Sequence, residues 1–557
     1  MDGELDFENE LIHHLERIGG SKQWKYEPSI KTIPALWANF RAILERNNAD
    51  KLDGRPLTDA EFAQVKAVIC GLRSPYEAGC WLYGLNGVTQ IEVDRDETKD
   101  GTGGNHIFLT VFDQAQVGAG NTVYQIVNQI ERPHVMAGRK NRRFDTTLLI
   151  NGLPIIHIEE KYDKHDAMEG LNQIRQYIDE GLFHDIYSTV QILVGMTPYQ
   201  ALYMANTDAD SFNPAFAFHW QREEDSKPVW DWREFADLML SIPMAHQMST
   251  SYMILDGDPK HKNLIVMRPY QVYATRRVIE RLRTHVFGTD AQEAGYIWHT
   301  TGSGKTISSF KTAWLASRLP NVDKVVFVVD RVALTRQTFE KYSAYDPDAD
   351  EDNAGVVSET ANTGVLRAKL RSRSRNNSIV VTSIQKLDRL CKRDSFKAPD
   401  MNFVFVVDEA HRSTNGEMLK RIKKAFPRSA GVGYTGTPAF EGDMTHAAFG
   451  DLIHAYTIRE AIADRNVLGF NVDFENTIPN TEITGQLLPD LLRQRYPHCF
   501  DKDISRKVAR MSPEEVDKYI DSGVYDNNQK HVEQVVDDIV VHWRNRSKEG
   551  RYSAILT

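Results

Sequence analysis

GYIWHTTGSGKTISSFKTAWLASRL, residues 295–319, sets the reading of this chain. The apolar run Tyr296–Trp298 meets a small-residue loop, HTTGSGKT (299–306), and a helical pattern follows. Strand, loop and helix in that order are what a phosphate-binding loop requires. Gly302, Ser303 and Gly304 let backbone N–H groups close around an anion, and the helix N-terminus adds its partial positive charge. Lys305 offers a point charge to the β/γ-phosphates of a nucleotide, and Thr306 offers a hydroxyl to Mg2+. His299 stands where the usual pattern has its first glycine.

The same rhythm extends on both sides. From Leu264 onward, apolar β-branched runs recur at Val325–Val329, Ile379–Val381, Phe403–Val407 and Gly431–Tyr434, each followed by a turn and a helical stretch. Unbroken apolar strands of this kind are parallel and covered on both faces, so a doubly wound α/β domain is expected. One run, NFVFVVDEAHRS (402–413), ends in acids at a strand tip, where the ligand crevice of such a sheet opens. Asp408 is read as helping to hold the metal, Glu409 as orienting and deprotonating an attacking water, and His411 as sensing the γ-phosphate.

A second constellation lies in RRFDTTLLINGLPIIHIEEKYD, residues 142–163. Asn151-Gly152 between two β-rich runs signals a hairpin. On its second strand Glu159 and Lys161 share parity and point together, whereas Glu160 points the other way. Asp145 on the first strand must join them for a D…ExK nuclease centre. A plain two-residue turn pairs Asp145 with Ile158, on the wrong face. A three-residue loop at 150–152 with a left-handed Gly152, or an equivalent bulge elsewhere in the hairpin, brings Asp145 to the face of Glu159. Asp145 and Glu159 are then the expected Mg2+ ligands, and Lys161 steadies developing negative charge.

Composition sets limits. With 67 basic and 77 acidic residues the net charge is −10, and 41 % hydrophobic with 26 % charged residues is ordinary for globular domains. No window is apolar enough for a membrane span, and MDGELDFENE is not a secretory leader. Four cysteines, far apart, fit neither a disulfide scaffold nor a zinc site of usual spacing, and suit a reducing cytoplasm. A polar stretch around 242–262 reads as a linker and 345–353 as a solvated acidic loop. The expected domains are 1–245, 246–460 and 461–557, the last incomplete. The chain ends on an apolar strand-like run, RYSAILT, so a longer parent protein is expected. RKNRR (139–143) and RAKLRSRSR (367–375) are candidate contacts for a phosphate backbone, and KRIKKAFPR (420–428) reads as a helix with a solvated basic face. His13, His14, His106 and His498 have no metal-ligand spacing.

From 264 on, the ordered motifs resemble superfamily 2 helicases and translocases. By that resemblance Gln271, in MRPYQ (267–271), pairs an adenine base. Asp330-Arg331 and Val381-Thr382-Ser383 resemble DNA-backbone motifs, and Thr435-Gly436-Thr437-Pro438 the motif coupling hydrolysis to domain movement. No arginine-bearing QxxGRxxR-type motif is found, so the ATPase site is expected to be incomplete within this chain. NGLPIIHIEEK followed by QIRQY (173–177) resembles the PD-(D/E)xK nuclease domain of type I restriction enzyme motor subunits. In that family Gln173 and Tyr177 contact DNA or support the lysine, and an N-terminal helix carries an acid, for which Glu8 is the candidate. The resemblance implies a PD-(D/E)xK nuclease domain, then a RecA-like parallel-sheet motor domain and the start of a second. It further implies ATP and Mg2+ as cofactors and double-stranded DNA as substrate, cut away from the recognition site. Separate specificity and methyltransferase subunits are the implied partners. Another superfamily 2 nuclease–translocase, of type III restriction or repair, and a non-catalytic ATP- or DNA-binding fragment share these motifs. The nuclease lying ahead of the motor argues against type III.

Overall fold

The computed structural model describes residues 2–19, 23–96, 106–118, 120–162, 165–330, 332–349, 355–410, 417–438, 444–468, 483–497, 500–512, 516 and 529–551. Its strands are β1 Lys25–Tyr26, β2 Val88–Asp94, β3 His106–Asp113, β4 Tyr124–Arg132, β5 Arg142–Ile150, β6 Leu153–Glu160, β7 Ile192–Thr197, β8 Gln200–Ala205, β9 Met253–Asp256, β10 Asn263–Val266, β11 Glu293–His299, β12 Lys324–Val329, β13 Val357–Glu359, β14 Ile379–Ser383, β15 Phe403–Val407, β16 Ser429–Thr435 and β17 Leu452–Tyr456.

A mixed six-stranded sheet, β1-β4-β5-β6-β7-β8, carries the hairpin. Its turn has two residues, not three: Ile150 pairs with Leu153, and Asn151 (φ 52°) and Gly152 (φ 81°) are both left-handed. Asn151 fixes that turn by accepting from Val123 N (2.9 Å) and donating to Val111 O (3.1 Å). The extra residue sits instead on the second strand. Leu149 pairs with Pro154 and Leu148 with Ile156, so Ile155 is bulged. Pro154 has no N–H for the ladder, which is where a bulge is tolerated. Thr146 then pairs with Ile158, and the same offset brings Asp145 opposite Glu159.

Between the parallel strands β6 and β7 runs the helix Ala167–Asp179, capped by Asp166 accepting from Glu169 N. It lies very close to the sheet. A Cβ on Gly195 would stand 2.0 Å from Ala167 O, and one on Gly170 2.7 Å from Glu159 O. Glycine at both positions therefore lets Gln173 and Tyr177 reach the end of β6. The N-terminal helix Asp2–Arg17 buries Phe7, Leu11 and Leu15, and with them Glu8.

Seven parallel strands form the second sheet, β13-β14-β12-β15-β16-β11-β17. Every run named from the sequence falls on one of them, and β12, β14 and β15 are buried along their whole length. Asp408 follows β15, and the loop after β11 leads into the helix Lys305–Ala316. The fold is thus α/β, a mixed nuclease-type sheet followed by a RecA-like parallel sheet.

Two expectations are corrected. The stretch 242–262 is not an open linker: Met244, Met248, Tyr252, Ile254 and Leu255 are buried, and β9 pairs with β10. Nor is 345–353 simply solvated. Asp346 is buried and accepts from Val357 N (3.1 Å), while Asp348 takes Tyr83 Oη (2.7 Å) and Arg318 (2.8 Å). One hydrophobic core runs through both sheets, and residues 1–468 form one compact unit. The second unit, 469–557, has helices Leu488–Arg495 and Asp501–Val508 packed through Leu488, Leu492, Ile504 and Val508. Among the described residues no helix is long and apolar enough to cross a membrane.

Lys311, on the helix after the phosphate loop, is buried with its ammonium 4.5 Å from the Trp314 ring centre. Burial, then Arg318, pushes its pKa down to about 7 from 10.5. Below pH 7 both folded and unfolded chains hold this proton. Between pH 7 and 10.5 the unfolded chain holds more, so the group's contribution makes stability rise with pH. Lys311→Met is expected to remove that rise and to stabilise the chain at pH 7 by about 2–4 kcal/mol, read from thermal melts across that range.

Candidate active sites

Asp145, Glu159 and Lys161 come together. Lys161 Nζ lies 3.8 Å from Glu159 Oε1 and 4.0 Å from Asp145 Oδ2, with Glu4 also at 4.0 Å. Asp145 Oδ2 accepts from Glu160 N (3.2 Å). Opposite Asp145 across β4, Gln129 has φ 55° and donates to Glu8 Oε2 (2.6 Å) and Asp145 Oδ1 (3.4 Å). Asn128 donates to Glu8 Oε1 (2.9 Å). The N-terminal helix thus brings Glu8 to the same cluster.

Gln173 and Tyr177 hold the carboxylate rather than the lysine. Tyr177 Oη donates to Glu159 Oε1 (3.0 Å), Gln173 Nε2 donates to the same oxygen, and Gln173 also reaches Tyr177 Oη (2.5 Å). Phe144 stacks on Tyr177 at 4.9 Å and lies 4.8 Å from the His157 ring, closing the apolar side. Gln173→Ala, which leaves the Glu159 carboxylate unanchored, is expected to lower DNA cutting about 10–100-fold, with the melting temperature nearly unchanged. A time course of plasmid cleavage beside a thermal melt checks it.

Glu160, on the other face of β6 from Glu159, joins the charge cluster through Asp145 and Glu8. It is buried, accepts from Thr146 N (3.3 Å), and feels the charges of Asp145 and Glu8. Burial raises all four acids: Glu8 and Glu159 to about 7, Asp145 and Glu160 well above the carboxylate range. Burial also lowers His157 to about 4, so the imidazole is neutral. Glu159 Oε2 and Glu160 Oε1 are buried without a hydrogen-bond partner; His157 Nε2 is 3.3 Å from Glu159 Oε2 but outside hydrogen-bond geometry. Crowded carboxylates with unsatisfied oxygens are a donor set that fits a hard divalent cation. The cue to Gln129 and Asn128 is present in the sequence: two adjacent amides inside the apolar strand YQIVNQI, 124–130.

At the phosphate loop, Gly302 (φ 81°) and Gly304 (φ 74°) are left-handed. Lys305 Nζ rests 3.5 Å from Thr300 O, and a Cβ on Gly436 would stand 3.2 Å from that ammonium, so the 435–438 turn lies against it. Asp408 is pushed up to about 6 by burial and by Glu409, with Lys305 acting against the shift. Glu409 has φ 47°, and its N–H donates to Asp408 Oδ1 (3.0 Å). The Gln271 amide is engaged by protein, donating to Ser303 O (2.9 Å) and accepting from Arg268 N (3.0 Å). Thr306 is exposed at the start of the helix. Thr382 and Thr435 are buried: Thr382 accepts from the Thr360 hydroxyl (3.0 Å), and Thr435 Oγ1 accepts from Thr437 N (3.2 Å). Their side chains therefore shape strand ends from inside. Arg331 and His411 lie outside the described residues. Of the basic runs, Arg142 is committed to Glu180 (2.6 Å), Arg375 to Asp348 (3.3 Å), and Arg421 to Asp388 (2.8 Å).

Comparison with known proteins follows this division. The family described as type I restriction enzyme R protein N terminus matches residues 4–212, and the SWI2/SNF2 ATPase family matches 270–502. The type I restriction enzyme SauMRSORF196P endonuclease subunit of Staphylococcus aureus is 31 % identical over 492 residues, covering 87 % of this chain and 48 % of the relative. The SsaAORF53P endonuclease subunit of Staphylococcus saprophyticus is 32 % identical over 487 residues, covering 85 % and 47 %. The chain spans about half the length of the curated relatives it matches. Among solved structures, a Sulfolobus solfataricus SWI2/SNF2 ATPase core in complex with dsDNA is 16 % identical, covering 33 % of this chain and 36 % of that one, at a TM-score of 0.24. With the nuclease-type sheet first and the ATPase-type sheet second, this chain is like the endonuclease (R) subunits of type I restriction enzymes, its residues 4–212 matching the R-protein N-terminal family and 270–502 the SWI2/SNF2 ATPase family.

Proposed function

We propose that this chain is the motor and nuclease portion of a type I restriction–modification complex in the cytoplasm. ATP hydrolysis drives duplex DNA past the complex, and the duplex is cut away from the recognition sequence. Recognition and methylation belong to separate specificity and methyltransferase subunits. The observation that carries the reading is the meeting of Asp145, Glu159 and Lys161 at one end of β5 and β6, on a chain whose next sheet bears a phosphate loop.

Asp145 and Glu159 are the residues that would hold Mg2+ for cutting, with the Glu8 and Glu160 carboxyls beside them. Bound there, the ion supplies Lewis acidity and a more acidic water. Gln173 and Tyr177 orient the Glu159 carboxylate. Lys161 sets a positive charge beside the scissile phosphate. In the motor, residues 302–305 bind the phosphates, Thr306 and Asp408 would hold the nucleotide's Mg2+, and Glu409 orients the attacking water. Thr435 and Thr437 shape the turn against Lys305 that passes hydrolysis on to domain movement.

The test is to assemble the chain with its partner subunits, supply circular DNA bearing one recognition site, and map the ends. Ends scattered far from the site, formed only with ATP and Mg2+, are expected. Cuts at one fixed position, or cutting without ATP, would overturn the translocation step.

A further inference from the structure

A cavity of about 20 Å3 is lined by Lys311 and Trp314 of the helix Lys305–Ala316, by Tyr83 of the helix Pro75–Tyr83, and by Gln191, Thr250 and Met253. That is room for one species the size of a water molecule. Two donors on its wall lack an acceptor. Trp314 is 3 % exposed, and its Nε1–H has no hydrogen-bond partner among the described residues. Lys311 is buried to the same degree. Among the described residues no oxygen accepts from its ammonium, which lies 4.5 Å from the Trp314 ring centre. Buried N–H groups are ordinarily satisfied, so this pair calls for an acceptor between them.

Charge decides which acceptor fits. The Arg318 guanidinium lies 3.5 Å from the Trp314 ring centre, and its charge is answered by Asp348 at 2.8 Å. It also donates to Tyr83 Oη (2.9 Å). Lys311 has no such counter-charge among the described residues, and burial and Arg318 both act against its charged form. A water molecule would take up the two N–H groups but leave an ammonium buried beside a guanidinium. A monatomic anion accepts the same hydrogen bonds and also balances the charge.

We propose that this cavity is a halide site, in which one chloride accepts hydrogen bonds from Lys311 Nζ and Trp314 Nε1. The ion joins the helix that follows the phosphate loop to the helix Pro75–Tyr83 of the first half, so chloride strengthens the packing between the two halves of residues 1–468. None of the lining residues belongs to the phosphate loop or to the Asp145 cluster, so the site stands or falls independently of both.

Thermal melts of the full chain at pH 7 test this, with sodium chloride or bromide exchanged for sodium gluconate at constant ionic strength. Gluconate is too large for the cavity, so it controls for screening. Raising chloride from about 10 mM to about 300 mM should lift the melting temperature of the parent by about 1–2 °C, and bromide should do the same. Lys311→Met, which removes the charge, and Trp314→Phe, which keeps the ring and removes the N–H, should each lose that response. In gluconate Lys311→Met should melt above the parent, and chloride should narrow the gap by raising the parent alone. If Lys311→Met fails to fold, Trp314→Phe gives the same reading. Crystals of the full chain grown in bromide should show an anomalous peak between Lys311 Nζ and Trp314 Nε1. A parent that melts alike in chloride and gluconate, variants that keep the parent's response, or a bromide crystal without that peak would overturn the site and leave an ordered water only.

Discussion

Lys161→Ala in the assembled complex is expected to reduce DNA cutting by at least about a hundredfold while ATP hydrolysis stays within about twofold of the parent. Lys161 Nζ stands about 4 Å from both Asp145 and Glu159, so its charge is the nearest cationic help for a phosphate entering that cleft. It contacts nothing at the phosphate loop, so the motor should not sense its loss. Lys161→Arg separates charge from geometry. The guanidinium keeps the positive charge but places it on a wider, planar head, so partial activity is expected. Gel assays of supercoiled plasmid loss, run beside phosphate release on the same samples, give both readouts. Full cutting by Lys161→Ala would mean that the cleavage centre lies elsewhere in the complex.

How much of this could be read from sequence differs between the two sheets. The parallel sheet was legible because its strands are buried on both faces, and burial on both faces leaves unbroken apolar runs such as Phe403–Val407. The hairpin was legible from Asn151-Gly152, but its register was only half so. Parity demanded one extra residue. It could not say that Pro154, lacking an N–H, would move the bulge onto β6 and set Asp145 opposite Glu159 instead of diagonal to it.

What stayed hidden depends on contacts between distant segments. Alternation sends Glu160 away from Glu159 but cannot say what lies on that side. Its neighbours there, Glu8 on the first helix and Asp145, are more than a hundred residues apart in sequence. Asp346 and Asp348 read as solvated because nothing local reveals that Val357, Tyr83 and Arg318 wait for them. The largely buried part of the 242–262 stretch, 244–255, is hard to read because its Met, Ile and Tyr residues are interleaved with polar ones and follow no single period.

Lys305→Ala is expected to abolish both activities in the assembled complex, lowering ATP hydrolysis by about a thousandfold and ATP-dependent cutting with it. The geometry explains why one ammonium matters so much. Gly304 at φ 74° turns the chain so that Lys305 begins the helix, and the half-buried side chain makes only a long contact, 3.5 Å, to Thr300 O. Its charge opposes the rise of Asp408 and lies against Gly436, so it sits between the strand tip that would hold metal and the turn that would transmit hydrolysis. Removing it leaves the buried core untouched, and the melting temperature should fall by no more than about 2 °C. The comparison with Lys161→Ala is the informative part. If translocation must precede cutting, Lys305→Ala silences both readouts whereas Lys161→Ala silences one. If Lys305→Ala still cuts, the cleavage centre acts without the motor, and the dependence of cutting on ATP is lost from the mechanism.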